Sequence, residues 1–357
     1  MALAALSAAL TGVLFLLVLL LVSGWSLEPL DAAAAVSVLP VAALAGSRIA
    51  GPAAVRASAG CALVAGGVLA LAALPGSTPG WIVAPQVLAG LGMGMALPAL
   101  AGELLPERTA RQAAALLAVR HAGITIVLLV LAPVAAAQLD DAVADVRERG
   151  AALMLDAKLP PLDKLELAGP LVADLDAVDP RDGLRRALDA QAPRFAGDPA
   201  QRREYAELTE RADDTLLAGI DSSFRIAFLI AGGLALVAAV AVLPRDAHRR
   251  TVAVAAAAAL ILPVAHAALR PAIAPEPVVI ADPCAPRELP DTGGIDGFVQ
   301  DAALNALDRA ACRYGSTREE LALALADEED ARAFRAAHGV DPRSTDGLLD
   351  VLGISLG

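Results

Sequence analysis

Lysine is nearly missing from this chain, with only Lys158 and Lys164 among 357 residues, and aromatic side chains make up just 3%. Arginine supplies almost all the positive charge, and what there is clusters in short segments, so the long basic faces that hold nucleic acid are missing too. The four histidines, His121, His248, His266 and His338, are scattered without metal-ligand spacing. Gly90-Leu91-Gly92-Met93-Gly94 has the look of a nucleotide fingerprint, but it sits in an apolar run rather than between a strand and a soluble helix. No catalytic set is visible, and no enzyme, metal or cofactor is expected.

Charge is also missing from long stretches. Residues 2–25 carry none, nor do residues 57–102, while hydrophobic residues reach 57% of the whole. That is too apolar for an ordinary soluble domain, so the excess must face lipid. A membrane helix needs about 20 mostly apolar residues to cross a hydrocarbon core of about 30 Å. By that ruler seven spans are predicted: 2–25, 32–47, two within 57–102 divided by the turn Pro75-Gly76-Ser77-Thr78-Pro79-Gly80, then 112–137, 226–243 and 251–269. No Lys or Arg precedes the first apolar run, which reads it as a span rather than a cleaved leader.

Short loops carry a second, independent signal. Arg48 and Arg56 follow span two, Arg108 and Arg111 follow span four, and Arg245, Arg249 and Arg250 follow span six, whereas the loop after span one holds only Glu28 and Asp31. All three basic loops fall on one side, which the positive-inside rule makes cytoplasmic. The expected protein is therefore a multi-pass plasma-membrane protein with a cytoplasmic amino terminus and an extracytoplasmic carboxy terminus.

The net charge of −12 belongs mainly to two blocks, with 19 acidic against 11 basic residues in 140–221 and 16 against 8 in 270–357. Expected domains are thus membrane helices one to five in 1–139, an extracytoplasmic helical insertion in 140–222, spans six and seven in 223–269, and a Pro-rich stalk with a small helical domain in 270–357. Helical patches are expected at 141–154 and 201–217. An amphipathic run covers 298–314, and Ser316 or Thr317 with Glu319 or Glu320 has capping-box spacing. Gly339 and Pro342 close the next helix. So small a domain buries little apolar surface, and Cys284 and Cys312, the two cysteines on that side, are predicted to pair. Cys61 lies within a span and reads as packing.

Within the spans, Arg120 and His121 are the ionisable pair that bears on function, because such groups are expensive to bury. Two readings stand for Arg120: it faces a cavity, or, if span five starts at Ala122, it reaches back to the cytoplasmic surface. Gln86 is the third substrate-path candidate. Gly90, Gly92 and Gly94, with Pro98, are helix-packing candidates.

Residues 12–22, the turn Gly24-Trp25-Ser26-Leu27-Glu28-Pro29-Leu30 and residues 42–56 resemble helices seven and eight of the major facilitator superfamily, in its actinobacterial drug-export branch. Residues 90–98, then Leu104-Leu105-Pro106-Glu107-Arg108 and Ala118-Val119-Arg120-His121-Ala122-Gly123, are similar to helices ten and eleven of that branch. The tail around Cys284 and Cys312 resembles a carboxy-terminal extension of some members. The loop Gly46-Ser47-Arg48-Ile49-Ala50-Gly51 departs from the family, lacking the aspartate of its cytoplasmic motif, and the six amino-terminal helices have no counterpart here. The resemblance implies an all-α membrane fold, a six-helix half of a major facilitator bundle with one additional span and two small outer domains. It implies proton-coupled export of a small amphipathic substrate, with a missing or separately encoded amino-terminal half, or a second copy, as partner besides the lipid bilayer. Spans one to six contain no carboxylate, so a coupling acid is expected in the missing amino-terminal half. The alternative is a membrane-anchored extracytoplasmic binding or assembly protein without transport activity.

Overall fold

The computed structural model describes residues 1–103, 109–164, 167, 180–244, 249–290 and 292–351, and among them every regular element is helical. In chain order, α1 (Ala2–Leu19) ends in a π-turn, Leu20–Gly24, and is followed by α2 (Pro29–Val36), α3 (Val38–Ser47), α4 (Ala53–Ala72) and α5 (Pro79–Pro98), which ends in a second π-turn, Ala99–Glu103. Next come α6 (Ala110–Asp156), α7 (Pro180–Gln191) with a 3-10 turn Ala192–Phe195, α8 (Pro199–Ala241) and α9 (Arg249–Ile273). Four shorter helices close the chain: α10 (Gly294–Tyr314), α11 (Arg318–Ala326), α12 (Glu328–His338) and α13 (Thr345–Val351). Seven segments have the length and apolar character to cross a membrane, one each from α1, the α2–α3 pair, α4, α5, α6, α8 and α9. They coincide with the seven predicted spans.

The helix breaks have local causes. Pro40 has no N–H to give the Val36 carbonyl, so the second span is interrupted at Ser37, whose Oγ donates to Ala33 O at 2.7 Å. Pro79 opens α5, where a missing N–H costs nothing. By contrast, the patches expected as separate helices at 141–154 and 201–217 are continuous with spans, inside the 47 residues of α6 and the 43 of α8. A switch from apolar to charged side chains does not end a helix. Gly219 stands near the switch in α8, and the helix runs through it.

The chain divides into two compact units, Met1–Ala142 with Ile220–Ala274, and Val143–Gly219 with Pro275–Gly357. The two acidic blocks, expected as two domains, thus form a single unit.

The first unit is held by close backbone approach. A β-carbon at Gly90 would overlap the carbonyl of Leu39, one at Gly94 that of Ala43, and one at Gly92 that of Gly60, so α5 lies directly against α3 and α4. Gly66 likewise meets Ala259, which seats α9 on α4. Pro98, the fourth packing candidate, is exposed at the end of α5, next to the π-turn. Cys61 is fully buried in α4. Large apolar side chains such as Ile126, Val237 and Ile261 stay exposed, as lipid-facing positions require.

Polar contacts hold the second unit. Thr317 caps α11 by accepting from the Glu320 N–H at 3.0 Å, the N-cap half of the expected capping box, while the Glu320 carboxylate bonds His338 at 2.9 Å. Asp327 caps α12 by accepting from Glu329 and Asp330 N–H groups, which holds its carboxyl below the usual range. Gly315 and Gly339, at φ +67° and +75°, end α10 and α12 in the left-handed conformation. Ala310, Ala311, Leu321, Ala324 and Phe334 form its core. Cys284 and Cys312 are disulfide-bonded with a Cα–Cα distance of 5.0 Å, tying the segment before α10 to that helix as predicted.

Beside the disulfide lies a buried ionic cluster. Arg318, with no exposed surface, donates to Asp156 at 2.7 Å and to Glu319 at 2.9 Å, while Arg287 pairs with Asp308 at 3.0 Å and with Glu319 at 3.4 Å. Burial pushes the Asp308 carboxyl up despite Arg287. Lys164, also buried, donates from Nζ to the Leu155 carbonyl at 2.8 Å, and desolvation pulls its ammonium down to about 8 against the opposing pull of Asp156. Between α7 and α8, Asp213 accepts bidentately from Arg181 and again from Arg185; burial alone would raise its carboxyl, but the two guanidiniums together hold it low.

Candidate functional site

A carboxylate network of the first unit forms where α1 finishes, α4 hands over to α5, and α8 enters the unit. At the end of α1 the Trp25 N–H bonds the Leu20 carbonyl at 2.8 Å, an i to i−5 closure, and the indole is buried at 2% exposure. Its Nε1–H donates to Asp221 Oδ1 at 2.8 Å. Ser77, in the connection between α4 and α5, donates from Oγ to Asp221 Oδ2 at 2.6 Å. Both carboxylate oxygens are therefore held, by donors 196 and 144 residues away.

Asp221 also lines a small cavity of about 10 Å³ with Arg225 and Arg270, walled by Leu20, Leu71 and Phe228. A space of that size admits about one water. A carboxylate with two neutral donors, and two guanidiniums lining the same small cavity, is a polar site in a unit built mainly of apolar helices, and ionisable groups in such settings are functional candidates. Close approach secures the site, since a β-carbon at Gly24 would come within 2.8 Å of Ile220 Cγ2. Nearby, His266 is buried in α9 and its Nδ1–H donates to the Ala70 carbonyl at 3.1 Å, while Trp81 stands edge-on to its ring at 5.8 Å.

The predicted site residues are dispersed. Gln86 is fully buried in α5, and neither its amide oxygen nor its nitrogen has a partner. Arg120 and His121 lie exposed on α6, with the His121 Nδ1–H donating to the Leu117 carbonyl of its own helix at 2.7 Å. Gln86 and these two do not form one cluster. Among the described residues no group of three or more His, Cys, Asp or Glu side chains is placed to hold a metal.

Asp221 was missed because span six was drawn from residue 226, where the uncharged run starts. Two signals would have found it: Asp221 and Arg225 are one helical turn apart directly before that run, and both tryptophans, Trp25 and Trp81, fall beside loops on the same side of the predicted topology. Comparison of the chain with family models, curated proteins and solved structures finds no match.

Proposed function

We propose that the seven-helix unit works in secondary active transport, exporting small amphipathic compounds against a flow of protons, with Asp221 as the ionisable group of the path. The supporting observation is the Asp221 carboxylate itself, held by Trp25 and Ser77 and lining one small cavity with Arg225 and Arg270. The π-turns after α1 and α5 and the interruption between α2 and α3 add to it, because transporters build their sites from discontinuous helices. Gln86, buried without partners, is the second polar position of the path. Read as a major facilitator bundle, the unit would pair with a second one across the substrate path, and the basic loops would place its amino terminus in the cytoplasm of a plasma-membrane protein.

The test uses inverted membrane vesicles from source cells, in which any partner bundle is present. Energised vesicles carrying the native chain should show proton efflux on addition of an amphipathic dye such as ethidium. Asp221→Asn, which preserves the size and one acceptor oxygen, should lose that flux as fully as deletion of the gene does. Unchanged flux in the deletion strain would sink the transport reading and leave the membrane-anchored binding protein in its place.

A further inference from the structure

The second unit contains a cavity of about 130 Å³ that transport through the first unit does not use. Its walls are almost wholly apolar, formed by Leu153 and Met154 of α6, Leu184 and Leu188 of α7, Leu208 of α8 and Leu323 of α11. An apolar protein cavity of about 150 Å³ stays dry and takes up benzene, so this one has room for roughly six carbons.

Two lining residues make it more than a packing defect. The first is Gly150, in the interior of α6, where a β-carbon would meet nothing within 4 Å. A glycine inside a helix gives up stability relative to alanine, and here no neighbour demands it. What its small size does is leave the cavity open. The second is Arg147, one turn earlier on the same helix. Its Nη2 donates to Asp330 at 3.2 Å, but its Nε–H is buried without an acceptor. An unmet guanidinium donor at an apolar cavity is costly to leave empty-handed, and an acceptor oxygen on a bound molecule would satisfy it.

Charge narrows the class further. The guanidinium is already compensated by Asp330, and both sequence blocks that build this unit are strongly acidic. A second carboxylate would be repelled, and an ammonium head has no lone pair to offer Nε.

We propose that this cavity binds an uncharged amphiphile, with an apolar chain or ring of which the cavity holds about six carbons, and one oxygen acceptor of the alcohol, ketone or ester class, the oxygen accepting from Arg147 Nε. The chain fills the space beside Gly150. The site holds whether or not the first unit transports.

The full chain in phosphatidylcholine nanodiscs, photolabelled with a diazirine-bearing octanol and digested with trypsin, tests this. Saturable label is expected on the peptide 150–158, with non-saturable background on membrane helices. Gly150→Leu puts a side chain into the space from a position where its β-carbon meets nothing within 4 Å, and should cut saturable labelling by at least about tenfold while the thermal melt is unchanged or higher. Arg147→Lys keeps the pairing with Asp330 but removes Nε, and should weaken labelling by about tenfold. Octanol should displace the probe, octanoate should do so more weakly, and octylammonium should not. Absence of saturable label from 150–158, indifference to Gly150→Leu, or displacement by octylammonium equal to that by octanol would each overturn the proposal; stronger displacement by octanoate would overturn the uncharged class.

Discussion

The two units solve the same problem with opposite means. The first packs Gly90, Gly92 and Gly94 of α5 against the backbones of Leu39, Gly60 and Ala43, and uses few polar contacts. The second uses a disulfide, side-chain caps at Thr317 and Asp327, and guanidinium clusters at Arg318 and Arg181. In hydrocarbon, apolar side chains gain nothing by leaving solvent, so close dispersion contact must do the joining. In water, burial drives assembly, but a small unit has little of it and leans on cross-links and directed bonds. The comparison teaches that the residue types to perturb differ by unit: size in the first, charge and covalent links in the second.

The largest effect is expected at Arg318. Replacing it by Leu leaves Glu319, 1% exposed, with only the longer contact to Arg287, and breaking a buried pair from one side costs about 3–5 kcal/mol. Chemical denaturation followed by tyrosine emission isolates the effect, because both tyrosines, Tyr205 and Tyr314, lie in the second unit and both tryptophans in the first. Loss of the tyrosine transition with the tryptophan transition unmoved is the expected pattern. Next comes Cys312→Ser, which opens a loop of 28 residues and should destabilise the second unit by about 3 kcal/mol. The same shift should follow reduction of the native chain by dithiothreitol.

Gly92→Ala tests the other half of the comparison. The added methyl would overlap the Gly60 carbonyl and also crowd the Val64 nitrogen at 2.7 Å, both backbone atoms that cannot swing aside. A loss of about 2–3 kcal/mol is expected in the tryptophan transition, with the tyrosine transition unchanged. Gly233→Ala, where nothing lies within 4 Å, is the matched control and should cost nothing. Equal effects at the two positions would mean that α5 is not seated by backbone contact.

Much of this was legible from residue order alone, and the exceptions share a cause. The seven spans follow from run length, the Cys284–Cys312 pair from the scarcity of cysteine, and the caps at Thr317 and Gly339 from short-range chemistry. These are signals spread over a few residues. The continuity of α6 and α8 is not legible from the change in polarity along them, because polarity marks the environment of a helix and not its end. The merging of the two acidic blocks into one unit, and the choice of Trp25 and Ser77 as the partners of Asp221, depend on contacts between residues more than a hundred positions apart, which no local pattern encodes even where it marks Asp221 itself. Of the three path candidates the sequence offers, Gln86 is buried and unpaired, while Arg120 and His121 are exposed.

The smallest expected effect is also the one that changes with pH. Lys164 is buried at 8% exposure, and desolvation lowers its ammonium from 10.5 to about 8 in the folded chain. The folded state therefore binds fewer protons than the unfolded one between about pH 8 and 10.5, so stability from this group rises as pH climbs through that window and is withheld below it. At pH 7 the shift corresponds to a penalty of about 3 kcal/mol, against which the bond to Leu155 returns about 1. Lys164→Met should thus stabilise the second unit by about 2 kcal/mol at pH 7, and that gain should fall away as pH approaches 10. Thermal melts followed by circular dichroism at pH 7 and 9.5, for native and variant chains, give the answer. A gain that is the same at both pH values would show that the methionine improves packing alone, and that the buried ammonium carries no penalty.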